Sequence, residues 1–324
     1  MDTKNRILVV LPVQDSHKEK LESSAPSGCF SYIPADQVTK EQVQEANIII
    51  GNVPPALLQG STNLKWMQLN SAGTDPYIQP GVFPSQAILT NATGAYGLAI
   101  SEHMLAQLLM LIKKLNLYYE DQKNHLWGDR GNVTSIWNSN TLVVGLGNLG
   151  SEFARKMHAL GSHVTGVKRT PGEKPDYLEG LYQMKDLTEK PELLGNADIV
   201  ALTLPSTKET IHLFDREMLA RMKPGAILLN AGRGNAVDTE ALMEALNSGA
   251  LGGAALDVTD PEPLPADHPL WDTDNLLITP HISGMYHLPE TFERILSIAA
   301  DNLRRFEAGQ QLCNEVNFET GYRK

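Results

Sequence analysis

Cysteine is nearly absent from this sequence: Cys29 and Cys313 are the only two in 324 residues. No C-x-x-C pair exists, so neither a disulfide framework nor a thiolate metal or redox motif is available, and a reducing, cytoplasmic setting is expected. Positive charge is also in deficit. Against 38 Asp and Glu stand 27 Lys and Arg, a net charge of −11, and the average surface field therefore repels nucleic acid and anionic membranes. No apolar run reaches the roughly 18 residues of a membrane span. The first one, Ile7 to Val13, is interrupted by Pro12 and is too short for a secretory signal core, so it reads as a β-strand of a soluble protein. No internal repeat or low-complexity segment is present.

What is there is a globular composition, 42% hydrophobic and 20% charged, in a chain long enough for about two domains of ~150 residues. Up to about residue 95, short apolar runs alternate with polar joints: 7–11, 46–50, 66–69 and 87–89. Thr39 and Gln42 have the spacing of a capping box at the start of a helix between the first two runs. This is a βαβ rhythm and implies an α/β fold with parallel sheets. From Leu98 to Lys123, Leu98, Leu105, Leu108, Leu109, Ile112 and Leu115 recur at helical spacings, predicting one amphipathic helix ~40 Å long. Six near-continuous apolar runs follow, at 141–144, 163–167, 197–202, 226–230, 252–257 and 275–279, the strand count of a doubly wound sheet covered on both faces. Residues 288–308 return to helical spacing.

The run 141–144 leads directly into Gly145-Leu146-Gly147-Asn148-Leu149-Gly150, which opens a helix. In that context the glycines supply a tight turn, close approach to a pyrophosphate and tight helix–strand packing, with the helix start contributing positive potential. The acid expected about 20 residues on, which would hold ribose hydroxyls, is missing. Lys168 and Arg169 stand in its place, suited to a 2′-phosphate rather than to a free hydroxyl.

Three segments after successive strands deliver an Arg, a Glu and a His to one rim of the sheet: Asn230-Ala231-Gly232-Arg233-Gly234, Asp257-Val258-Thr259-Asp260-Pro261-Glu262-Pro263 and Pro280-His281-Ile282-Ser283-Gly284. Arg233 can clamp a small carboxylate, Glu262 can favour the charged form of His281, and His281 can exchange a proton. Singly these are a surface cation, a turn acid and a loop histidine; together, at the ligand-binding edge of a dinucleotide fold, they form a catalytic constellation. His103, His158 and His163 fall in predicted helix or strand and read as structural; His287, six residues after His281, reads as packed or exposed, with a place lining the active site as the alternative.

These segments resemble the D-isomer-specific 2-hydroxyacid dehydrogenases, over nearly the whole chain. Ser71-Ala72-Gly73-Thr74-Asp75 matches the family's substrate loop, Asn91 to Glu102 its crossover, Gly145 to Gly150 its nucleotide turn, and the three rim segments its active site. The resemblance implies a Rossmann dinucleotide-binding domain, 97–288, inserted in a flavodoxin-like substrate domain, 1–96 plus 289–324, and a homodimer formed through the dinucleotide domain. It implies that Arg233 holds the substrate, that His281 is the acid/base tuned by Glu262, and that the amides of Ala72 and Gly73 bind the substrate carboxylate. Gly145, Gly147, Asn148, Leu149, Gly150, Leu204, Pro205, Ala231, Gly232, Asp257, His281, Ser283 and Gly284 would line the cofactor. The expected reaction is reduction of a small 2-keto acid of the glyoxylate or hydroxypyruvate type by NADPH, with NAD as a lesser possibility and no metal. The alternatives are an NAD-linked D-2-hydroxyacid or phosphoglycerate dehydrogenase, the latter disfavoured by a chain with no room for a regulatory domain and a substrate loop with no cation, and a dinucleotide-sensing, corepressor-like protein.

The two cations fix the first prediction. The KM for NADPH is expected to lie below that for NADH, and Lys168→Ala and Arg169→Ala are each expected to narrow that gap; a KM for NADH equal to or below that for NADPH in the wild type, with the ratio unmoved in the variants, would show both side chains to be plain surface cations.

Overall fold

In the computed structural model, residues 4–319 and 321–323 are described, and the chain forms two compact units, Met1–Tyr96 with Tyr286–Lys324, and Gly97–Met285. The first unit contains β1 (Arg6–Val9), α1 (Asp15–Ser24), β2 (Cys29–Tyr32), α2 (Lys40–Glu45), β3 (Ile48–Ile50), β4 (Trp66–Gln68) and β5 (Ile88–Thr90). Its strands are parallel throughout, in the order β2-β1-β3-β4-β5, which is the flavodoxin-like arrangement. The three isoleucines of β3 are wholly buried, as a strand covered on both faces requires. The Thr39 capping box is present: the Thr39 amide donates to Gln42 Oε1 at 2.9 Å and the Gln42 amide to Thr39 Oγ1 at 3.4 Å.

The second unit runs α3 (Gly97–Ile112), α4 (Leu115–Lys123), β6 (Asn140–Val144), α5 (Asn148–Ala159), β7 (His163–Lys168), β8 (Gly180–Gln183), α6 (Asp186–Glu189), α7 (Glu192–Gly195), β9 (Ile199–Leu202), α8 (Arg216–Ala220), β10 (Ile227–Asn230), α9 (Thr239–Asn247), β11 (Gly253–Leu256) and β12 (Leu276–Ile278). Its sheet has seven strands in the order β12-β11-β10-β9-β6-β7-β8, a Rossmann sheet whose order reverses between β6 and β9. In such sheets ligands bind at the carboxyl ends of the strands beside that reversal.

The chain then returns to the first unit as α10 (Pro289–Glu307) and the hairpin β13 (Val316–Asn317) and β14 (Tyr322–Arg323). The apolar face of α10, Ile295, Leu296, Ala299, Ala300 and Leu303, is buried and the helix packs on α1. The buried Asn302 anchors it: its amide donates to Gln68 Oε1 at 2.8 Å and to the Cys313 carbonyl at 3.0 Å, and its own oxygen accepts from the Cys313 amide at 2.7 Å. Among the described residues no helix is long and apolar enough to cross a membrane.

Three details differ from the sequence reading. The single helix expected over 98–123 is two, broken at Lys114 with φ of +56°. The buried stripe ends at Ile112, Leu115 is 52% exposed, and Asp121 instead pairs with Arg130 Nε at 2.6 Å, which holds the Asp121 carboxyl below its ordinary range and folds the following segment back. Four strands escaped detection, the two-residue strands β13 and β14 of the terminal hairpin and, in the parallel sheets, β2 and β8. β2 and β8 are sheet edges, partly exposed and without an apolar run. The second unit ends at Met285 rather than 288, because Tyr286 is bonded through its hydroxyl to Asn70 and packs edge-on against Phe292 at 5.3 Å.

Candidate active site

The turn between β6 and α5 has the dimensions of an anion cradle. Gly145 has φ of +107°, and a Cβ there would lie 2.8 Å from the Thr203 carbonyl. A Cβ on the buried Gly150 would overlap the carbonyl of Gly145, so the first and third glycines lock turn, helix and β9 together. The middle glycine differs: Gly147 is exposed, with nothing within 4 Å of a Cβ position, and no side chain caps α5. The first-turn amides, in the backbone of Asn148, Leu149 and Gly150, are thus left for a ligand, and the helix dipole adds to their pull on an anion. This cradle fits a dinucleotide pyrophosphate.

Across the reversal point, Leu204 and Pro205 follow β9 and lie under the loop after β10, where a Cβ on Gly232 would come within 2.6 Å of the Leu204 amide. Lys168 ends β7, half-buried, and Arg169 follows it exposed. The Glu209 carboxyl is held below its usual range first by the Thr207 hydroxyl and its own amide, and further by the charges of Arg169 and Lys208.

Arg233, Glu262 and His281 follow β10, β11 and β12, three adjacent strands of the sheet. Arg233 is in extended backbone, with Nη1 donating to the Gly232 carbonyl at 2.8 Å and its own carbonyl accepting from Asn230 Nδ2 at 3.0 Å. A Cβ on Gly234 would collide with the backbone of Thr259, so the glycines on both sides of Arg233 are dictated by neighbouring chain. Glu262 and His281 meet directly: Nδ1 of His281 donates to Glu262 Oε1 at 2.6 Å. With Nδ1 engaged, Nε2 is the nitrogen available to exchange a proton with a substrate.

Asp257 holds this arrangement. It is 2% exposed, and its carboxylate accepts from Thr279 Oγ1 at 2.7 Å, the Ile282 amide at 3.1 Å, the Ser283 amide at 3.3 Å and the Ser283 hydroxyl. The His281 amide donates to the Asp257 carbonyl at 2.8 Å. His281 itself has φ of +50°, a conformation a non-glycine residue keeps only when its surroundings hold it. The sequence reading put Asp257 and Ser283 beside the cofactor; the structure adds that their bond to one another fixes the histidine loop. It missed Thr279 entirely, although its place one residue before Pro280-His281 was a signal.

In the first unit, Ser71 Oγ donates to the Gly73 carbonyl at 2.7 Å and Asn91 Nδ2 to the Ala72 carbonyl at 2.9 Å. Both carbonyls are tied down, and among the described residues the Ala72 and Gly73 amides donate to nothing.

A profile of the D-isomer specific 2-hydroxyacid dehydrogenase NAD binding domain matches residues 105–283, more than half of the chain. The chain belongs to that family. The protein is thus a D-2-hydroxyacid dehydrogenase, an oxidoreductase acting on CH–OH groups, with an NAD(P)-binding Rossmann domain. Glyoxylate/hydroxypyruvate reductase B of Pectobacterium carotovorum is 33% identical over 275 residues, covering 82% of this chain and 83% of that protein. A dehydrogenase-family protein of Aeromonas salmonicida superposes with a TM-score of 0.85 at 33% identity, over 98% of this chain and 100% of that one. The NADPH-dependent glyoxylate/hydroxypyruvate reductase of Sinorhizobium meliloti, solved with NADP and sulfate, gives 0.81 at 25% identity over 98% and 100%.

Proposed function

We propose that this dehydrogenase reduces a small 2-keto acid, glyoxylate or hydroxypyruvate, to the D-2-hydroxy acid, with NADPH preferred. The observation that carries the reading is the 2.6 Å bond between Glu262 and Nδ1 of His281. A carboxylate on that nitrogen orients the ring and leaves Nε2 as the atom that delivers a proton. The bound nicotinamide supplies the hydride. His281 then gives its Nε2 proton to the carbonyl oxygen as that oxygen gains negative charge, and Glu262 compensates the imidazolium beforehand. Arg233 pairs with the carboxylate and the carbonyl oxygen, and Ala72 and Gly73 keep the carboxylate-binding role expected of their amides. Positioning and charge stabilisation of this kind account for most of the barrier reduction.

Gly145, Gly147, Asn148, Leu149 and Gly150 would hold the pyrophosphate, with Leu204, Pro205, Ala231, Gly232, Asp257, His281, Ser283 and Gly284 along the rest of the cofactor. Lys168 and Arg169 would take the 2′-phosphate. The Sinorhizobium relative's NADP supports that preference, as does the Xanthobacter autotrophicus dehydrogenase solved with NADPH, 27% identical with a TM-score of 0.81. A cytoplasmic location is supported by the two unpaired cysteines. A homodimer through the dinucleotide unit is supported by the apolar side chains exposed along one segment of it, Leu126 at 60%, Trp127 at 104% and Trp137 at 74%.

A spectrophotometric panel of glyoxylate, hydroxypyruvate, pyruvate and 3-phosphohydroxypyruvate, each with NADPH and NADH, tests substrate and cofactor together; fastest turnover of the phosphorylated acid with NADH would reverse the proposal. His281→Ala is expected to lower kcat by roughly 10²–10⁴ with cofactor affinity retained, whereas near wild-type turnover would remove His281 from the chemistry. In sedimentation the wild type should run at twice the 35.5 kDa chain mass; a monomer concentrated to assay levels would contradict the dimer.

A further inference from the structure

We propose that His103, on α3, is a positioning residue for His281 and acts through Thr279 and Asp257. The link is a chain of hydrogen bonds inside the second unit. Thr279 Oγ1 lies 2.7 Å from Asp257 Oδ1, and a carboxylate only accepts, so the single hydroxyl proton of Thr279 is committed to Asp257. The oxygen's remaining lone pairs then receive two donors from α3. These are His103 Nε2 at 3.0 Å and Gln107 Nε2 at 3.2 Å. The contact fixes the proton of neutral His103 on Nε2, and the protonated ring donates from the same atom. His103 Nε2 is also 3.8 Å from Asp257 Oδ1. Spaced four residues apart, His103 and Gln107 share one face of α3 and saturate the Thr279 hydroxyl together.

Among the described residues, the other hydrogen bonds of the Asp257 side chain come from the two residues after His281, through the Ile282 amide, the Ser283 amide and the Ser283 hydroxyl. The histidine between these anchors has φ of +50° and presents Nδ1 to Glu262. A Thr279 hydroxyl that loses its donors from α3 is free to turn from Asp257. The carboxylate then shifts, and the histidine loop, held in an uncommon conformation by that carboxylate, shifts with it. His103 touches no reacting group in this scheme. It sets where the acid/base sits and is 26% exposed on its side chain, so its removal opens no large cavity.

The inference rests on His281 as the acid/base, and the test separates the two. Steady-state kinetics would be run on His103→Leu, His103→Gln, Thr279→Val, the double variant His103→Leu/Thr279→Val and His281→Ala, with NADPH and the fastest keto acid of the panel, alongside thermal unfolding. His103→Leu is expected to lower kcat on the order of tenfold, with KM for the keto acid and the melting temperature close to wild type. His103→Gln, whose amide nitrogen occupies the place of Nε2, should return kcat to within about threefold. The double variant should be no slower than Thr279→Val, because both changes cut one chain. Wild-type turnover in His103→Leu while His281→Ala is inactive overturns the positioning role alone; wild-type turnover in His281→Ala overturns both readings. A loss in His103→Leu that His103→Gln fails to rescue, or losses that add in the double variant, also overturns it.

Discussion

A buried carboxylate must be saturated with donors or it is expelled or protonated. At the end of β11 the chain buries Asp257 at 2% exposure, and the donors that satisfy it come from the segment Thr279 to Ser283. That requirement dictates the path of the loop after β12. Placing two consecutive amides and a hydroxyl on one carboxylate bends the chain at His281 into positive φ and turns its ring to Glu262. The geometry of His281 is thus a consequence of satisfying one buried carboxylate, and the loops around it adapt: Gly234 exists because Thr259 occupies the space of its side chain, and Gly232 because Leu204 does.

Electrostatics follow the same logic of local concentration. With a net charge of −11, the surface as a whole repels anionic cofactor and substrate. The second unit offsets this at its ligand-binding edge with the uncapped start of α5, with Lys168 and Arg169 after β7 and with Arg233 after β10. The Glu209 carboxyl, held below its usual range in part by the charge of Arg169, moderates that field.

Much of this was legible in the sequence because it is local. The turn Gly145 to Gly150 has its flanking strand and helix within a few residues, and Arg233, Glu262 and His281 each follow an apolar run directly, so their shared rim followed from the alternation of strands and helices. The elements that escaped have no local signature. β2 and β8 are partly exposed edges. The break at Lys114 depends on a segment that returns after it, through Arg130 to Asp121. The bond between His103 and Thr279 joins residues 176 apart, and helical periodicity alone marks such a histidine as structural.

The dependence of the site on Asp257 is tested most directly by Asp257→Asn, measured for kcat, NADPH affinity and thermal unfolding in parallel. The substitution keeps the shape of the side chain and replaces one acceptor oxygen with an amide that faces donors. Turnover should fall on the order of 10²-fold, with the fold retained and NADPH affinity reduced by far less than turnover. An Asp257→Asn enzyme with wild-type kcat would show that the histidine loop holds its geometry without the buried charge.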